Sequence, residues 1–211
     1  MANFKFMQCV NTACNLRMPI DLDLYSGKFC PVCGEPMCII SDSQAVKGSP
    51  AKIVKAKREM VVILDNIRST YNVGAIFRTA DGAGVKKLFL CGITPTPAHE
   101  PGIEKTALGA EDHVTWEYHP NALNLVEKLK LDGLNLIALE RMASSLPIYD
   151  FYPDPSDRRL FALIVGNEKA GVDPGIIDLC EHVLALPMVG EKGSLNVTVA
   201  FGIAAYWLSF A

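Results

Sequence analysis

The sequence predicts an α/β domain built on a mainly parallel sheet, preceded by a small cysteine-bearing module. Three observations carry that expectation. From residue 59 onward, short continuous apolar runs alternate with stretches of helical periodicity, the pattern of strands covered on both faces by helices. Before residue 40 that alternation is absent, and five of the seven cysteines gather there. Between the two lies a stretch with Gly48, Ser49 and Pro50 at its centre, which reads as a connector. The expected division is a module over 1–40, a linker over 41–58 and the α/β domain over 59–211.

The cysteines come first in the chain. Cys9-x4-Cys14 and Cys30-x2-Cys33-Gly34 form two knuckle-like pairs separated by 15 residues. Two short loops of paired thiolates supply the four soft ligands of a structural zinc, with Pro31 and Gly34 suited to the tight turn. Buried free thiols and a redox pair are the other readings, and Cys38 is an alternative ligand. A segment this poor in large apolar residues needs a staple to fold. The odd number of cysteines, with no secretory signal in MANFKFMQCV, argues for thiols or metal ligands over a disulfide framework. Cys91 and Cys180 read as core packing.

The linker accumulates Lys47, Lys52, Lys55, Lys57 and Arg58, with no acid between Asp42 and Glu59. It reads as a solvated tether or as an arm that touches phosphates. Charge is uneven along the chain. Residues 1–60 carry 8 basic and 5 acidic side chains, whereas 61–211 carry 12 and 18. That excludes a uniformly basic nucleic-acid coat and leaves room for a local basic patch.

Within the domain, strands are expected at Met60–Leu64, Lys87–Cys91, Val114–Glu117, Leu134–Leu139, Leu160–Val165 and Val183–Leu186. Helices are expected at Val73–Ala83, Asn121–Leu131, Pro174–Leu179 and Ser194–Phe210. The last is apolar around nearly its whole circumference, so it is expected to be buried on all sides, inside the domain or against a second copy. The apolar stretch Val197–Ala211 has 15 residues, short of the roughly 18–20 that a membrane span needs. A cytoplasmic protein with no membrane segment is the expectation.

Two nucleotide motifs fail. Gly166-Asn167-Glu168-Lys169-Ala170-Gly171 has the outer glycines of a P-loop, but Val172-Asp173 replace its Lys-Ser/Thr. Gly82-Ala83-Gly84 lacks the final glycine of the dinucleotide fingerprint. Three other segments stand at the carboxyl ends of expected strands, where open α/β sheets place ligands. They are Asn72-Val73-Gly74-Ala75-Ile76-Phe77-Arg78-Thr79, Gly166-Asn167-Glu168, and Leu186-Pro187-Met188 followed by Ser194-Leu195-Asn196-Val197-Thr198. Each has a glycine nearby, as expected where backbone approaches a ligand. Taken singly, Asn72 and Ser194 read equally as helix N-caps, Arg78 as a surface ion pair and Glu168 as a turn residue.

Taken together, the order and spacing of these segments resemble the three motifs of the SpoU/TrmH family of RNA ribose 2′-O-methyltransferases, in the SPOUT superfamily. The resemblance covers about residues 59–211, including Lys105–Tyr118 and Ile148–Phe151; the zinc-ribbon-like module lies outside it. It implies a deep trefoil knot at the C-terminal end, S-adenosylmethionine as cofactor, tRNA or rRNA as partner and a homodimer. It also implies that Asn72, Arg78, Glu168, Ser194 and Asn196 serve catalysis, and that Gly166, Leu186, Met188 and Leu195 contact the cofactor. Arg78 is expected to act as an electrostatic clamp, because a guanidinium pKa above about 12 makes a poor base. A non-catalytic RNA-binding or ribosome-assembly protein with this fold, and a knotted base methyltransferase, are the alternatives.

Overall fold

The computed structural model describes residues 3–42 and 54–211. Most of the predicted linker, with Lys47 and Lys52, lies outside the described residues. The chain divides into two compact units, Met1–Ile53 and Val54–Ala211.

The first unit is a three-stranded antiparallel sheet of β1 (Phe4–Cys9), β2 (Arg17–Asp21) and β3 (Met37–Asp42), in the order β2-β1-β3. Its core is Met7, Cys9, Ile20, Cys30 and Met37, with Cys14, Leu16, Met18 and Leu22 against it. So few apolar side chains make a small core for a unit of this length.

The second unit begins with β4 (Met60–Asp65) and α1 (Thr70–Ala83), followed by β5 (Lys87–Cys91) and the short α2 (Glu104–Ala107). Then come β6 (Trp116–His119), α3 (Ala122–Leu131), β7 (Asn135–Leu139), β8 (Leu146–Pro147) and β9 (Phe161–Val165). The chain ends with α4 (Pro174–Ile177), β10 (His182–Ala185) and α5 (Val197–Phe210). Seven strands form one sheet in the order β6-β5-β4-β9-β7-β10-β8, and every pairing in it is parallel.

The continuous apolar runs have the cause the sequence suggests. In β4, Met60, Val62 and Leu64 enter a core with α1 and α5, whereas Val61 and Ile63 enter the opposite core with α3 and α4. A strand between two cores has no solvent face on which to alternate.

Helix ends follow local capping chemistry. Ser69, not Asn72, caps α1, its Oγ accepting from Asn72 N at 3.3 Å. Asn196, not Ser194, caps α5 by accepting from Thr198 N at 2.8 Å, which starts that helix three residues later than expected. At the other end of α1, Gly84 takes a left-handed φ of 72° while its N–H and that of Val85 return to Asp81 O and Ala80 O.

The last helix is buried on one side within its own chain. Phe201, Ala204, Ala205, Leu208 and Ser209 are buried against the sheet and α1, but Val199 and Tyr206 remain 49% and 47% exposed. Within one chain, then, α5 buries one face and leaves an apolar face open. No helix among the described residues is long and apolar enough to cross a membrane.

Candidate active site

The segments that follow β4, β7, β9 and β10 wall one cavity of about 680 Å³, within the range of a small-molecule site. Its frame is a chain of hydrogen bonds that joins three segments distant in sequence. Glu168, after β9, accepts from Arg68 N at 2.9 Å, Ser69 N at 3.1 Å and Asn72 Nδ2 at 2.9 Å. Asn196, ahead of α5, donates from Nδ2 to Asn72 Oδ1 at 3.3 Å. Its own Oδ1 accepts from Thr198 N and from Thr198 Oγ1, the latter at 2.6 Å. Burial opposes ionisation of Glu168, but the N–H donors around it outweigh burial and hold its carboxyl below the usual range.

The turn that carries Glu168 is tied just as firmly. Asn167 donates to Asn66 O at 2.7 Å and accepts from the N–H groups of Lys169 and Ala170. Asn167 and Gly171 close the turn with two backbone bonds. Glu140, after β7, accepts from Val172 N at 3.0 Å and Arg141 N at 2.8 Å. Beneath it Asp65, almost fully buried, accepts from Asp173 N and Asn66 Nδ2. Burial raises the Asp65 carboxyl, with the Asp173 charge adding to it, against those two hydrogen bonds.

The cavity brings together most of the residues expected to serve it. Asn72, Glu168, Ser194 and Asn196 line it, as do Gly166, Leu186, Met188 and Leu195. Arg78 is not among the lining residues. It is exposed on the outer side of α1, with no hydrogen bond or ion pair among the described residues. Six residues along a helix turn the side chain about 120° away from Asn72, which explains the separation.

A Cβ on Gly166 would overlap the backbone of Gly171 and Val172, and one on Gly74 would overlap Thr106 Oγ1 and Ile103 O. At both positions chain packs on chain too closely to admit a Cβ.

Sequence reasoning passed over Arg68, Ser69, Glu140 and Arg141, all of which line the cavity. Glu140 directly follows an expected strand, so the carboxyl-end rule that selected the other segments would have selected it too. Arg141 donates from Nη1 to Gly193 O, tethering the segment ahead of α5.

In the first unit the Sγ atoms of Cys9, Cys14, Cys30 and Cys33 all lie within 4.8 Å of one another. Cys9 and Cys33 are 3.4 Å apart, and Cys14 and Cys30 are 3.7 Å apart. Four sulfurs on a zinc at about 2.3 Å stand about 3.8 Å apart, so the donor set fits that ion. Cys38 stands outside the group, with its thiol donating to Gln8 O. Cys91 and Cys180 pack in the second unit, and burial pushes their thiols up to about 12 and about 11.

Residues 59–206 match the SpoU rRNA Methylase family. The chain is 31% identical over 157 residues to the 23S rRNA (guanosine(2553)-2′-O)-methyltransferase RlmP of Bacillus subtilis, covering 74% of this chain and 60% of that protein. It is 30% identical over 154 residues to the tRNA (guanosine(18)-2′-O)-methyltransferase of Aquifex aeolicus, covering 72% and 69%. The chain thus spans only about three fifths of the first of these. Among solved structures, an AdoMet-bound rRNA methyltransferase from Sinorhizobium meliloti superposes with a TM-score of 0.65 at 25% identity, covering 73% of this chain and 56% of that one.

Proposed function

Because this chain belongs to the SpoU rRNA methylase family, we propose that it transfers a methyl group from S-adenosylmethionine to a ribose 2′-hydroxyl of tRNA or rRNA. The reading rests above all on the Glu168–Asn72–Asn196 chain, which holds three distant segments around one cavity. The relatives named above, both 2′-O-methyltransferases by name, support the reaction type.

When bound, S-adenosylmethionine supplies a sulfonium-activated methyl group. Gly166, Leu186, Met188 and Leu195 would hold it, apolar side chains flanking the adenine and backbone groups meeting its edge. Glu168, Asn72 and Asn196 spend their oxygens on one another and on neighbouring N–H groups. They act as positioning residues that fix the cavity walls. The Ser194 hydroxyl has no partner among the described residues, which leaves it free to meet the nucleotide. The 2′-hydroxyl needs its developing negative charge stabilised, and that is the role proposed for the Arg78 guanidinium.

Arg78 lies outside the cavity of its own chain, on the same helix that packs against α5. A homodimer formed through the open face of α5 and the outer side of α1 would supply Arg78 to the partner's cavity. The C-terminal segment is read as threaded in the family's trefoil knot, and the enzyme as cytoplasmic, where its RNA substrates reside.

Incubation with labelled S-adenosylmethionine and tRNA or rRNA, followed by alkaline hydrolysis, tests the function. The expected product is an alkali-resistant dinucleotide, since a 2′-O-methyl blocks cleavage at that linkage. Label in a base on an alkali-labile product would make this a base methyltransferase. RNA binding with no cofactor binding would make it a non-catalytic relative.

For the first unit we propose a structural zinc on Cys9, Cys14, Cys30 and Cys33. The ion would contribute on the order of 10 kcal/mol to folding, as much as burial of the five core side chains together at about 1.5–3 kcal/mol each. Elemental analysis is expected to find one zinc per chain. Cys30→Ser is expected to abolish it, with loss of amide protection in β1–β3 and unchanged S-adenosylmethionine binding. A metal-free protein with a folded first unit would exclude the site.

A further inference from the structure

The cavity rim carries a charge pattern that the reaction reading does not use. Residues 61–211 hold 18 acidic against 12 basic side chains, a poor surface for a polyanion. At the cavity the balance reverses. Its lining includes Arg68, Arg141 and Lys169 against two carboxylates, Glu140 and Glu168. Both carboxylates are already occupied. Glu168 is held by Arg68 N, Ser69 N and Asn72 Nδ2, and Glu140 by Val172 N and Arg141 N.

The side chains of Arg68 and Lys169, by contrast, are exposed and have no partner among the described residues. Their backbones are brought together by the same contact. Lys169 directly follows Glu168, whose carboxylate receives the N–H of Arg68. Two exposed cations thus line one cavity on segments that the Glu168 contact joins. In the structure neither carboxylate pairs with them: Glu168 and Glu140 are turned to the N–H donors that hold the cavity walls.

We propose that Arg68 and Lys169 form a clamp for an RNA phosphodiester beside the target nucleotide. The proposal rests on the methyl-transfer reading above. An anionic oxygen at this position could also come from a cofactor carboxylate. The rim location favours the RNA strand, since Arg68, Glu168 and Lys169 are all exposed whereas Gly166 is buried. The clamp would concentrate affinity at the one place where an acidic domain must accept a polyanion, and it would set the strand's register without touching the reacting atoms.

The test uses the full chain as wild type, Arg68→Ala/Lys169→Ala and the control Lys128→Ala, which removes an exposed charge on α3. RNA affinity is measured across a salt series, S-adenosylmethionine affinity by calorimetry, and kcat and KM at saturating cofactor. The double variant is expected to weaken RNA binding at least ~10-fold and to flatten the salt slope by about 0.7–0.9, for the one phosphodiester no longer neutralised. KM for RNA should rise, with kcat and cofactor affinity within a few-fold of wild type. The Lys128 variant should match wild type. Unchanged RNA affinity and slope would overturn the clamp. Loss of cofactor affinity with RNA binding intact would also overturn it, assigning the cations to the cofactor carboxylate. A wild type that binds cofactor but neither binds nor methylates RNA would overturn the functional reading itself.

Discussion

Replacing Arg78 by alanine is expected to lower methyl transfer about 10²–10³-fold at saturating cofactor and RNA, with S-adenosylmethionine affinity unchanged. That range is what removal of one preorganised donor to a developing oxyanion costs. Cofactor affinity should survive because Arg78 is not part of the cavity wall in its own chain. Stability should survive too, because the side chain is exposed and unpaired among the described residues. Arg78→Lys is expected to recover little, since an ammonium lacks the planar fork of a guanidinium.

Supply of Arg78 across a dimer makes a sharper prediction. Arg78→Ala and Glu168→Gln chains, each inactive alone, should regain about a quarter of wild-type activity when co-expressed. Half of randomly paired dimers are mixed, and a mixed dimer under two-fold symmetry holds one intact site of two. Absence of complementation, with dimers confirmed by mass, would return Arg78 to its own protomer. Full activity of Arg78→Ala would remove it from the chemistry altogether.

How far the fold was legible follows from where each residue's partners lie. The β4 run was readable as a doubly covered strand because both of its neighbours in space are apolar layers. The two-residue β8 and the four-residue α2 were not readable, since neither is long enough to express a period. The open face of α5 was invisible for a different reason. Hydropathy reports that Val199 and Tyr206 prefer burial, but not whether their own chain or another supplies it.

The site was legible in its membership and less so in its division of labour. Asn72, Glu168, Ser194 and Asn196 were found because three segments at the carboxyl ends of strands also match the family's motifs in order and spacing. Their roles depend on who bonds to whom. Glu168 holds the N-terminal turn of α1 rather than Arg78, a distinction that no spacing encodes. Glu140 and Asn167 do the same kind of work from neighbouring loops.

Gly166→Ala is expected to remove cofactor binding and activity together and to destabilise the second unit. The added Cβ would sit on the backbone of Gly171 and Val172, and backbone cannot swing aside as a flexible side chain can. Relief requires opening the 166–172 turn, which is closed by the paired bonds between Asn167 and Gly171 and by Glu140 on Val172 N. Overpacking of this kind costs about 1–3 kcal/mol, or several degrees in Tm for a chain of this size. The functional loss should exceed what stability alone predicts. Moving the turn carries Glu168 away from Arg68, Ser69 and Asn72, and so releases the first turn of α1 and, through Asn72, the cap of α5. Gly190→Ala is the matched control, because a Cβ there meets nothing within 4 Å, and it should melt with wild type. A Gly166→Ala protein that melts several degrees low yet binds S-adenosylmethionine normally would show that the turn's shape matters to folding and not to the cavity.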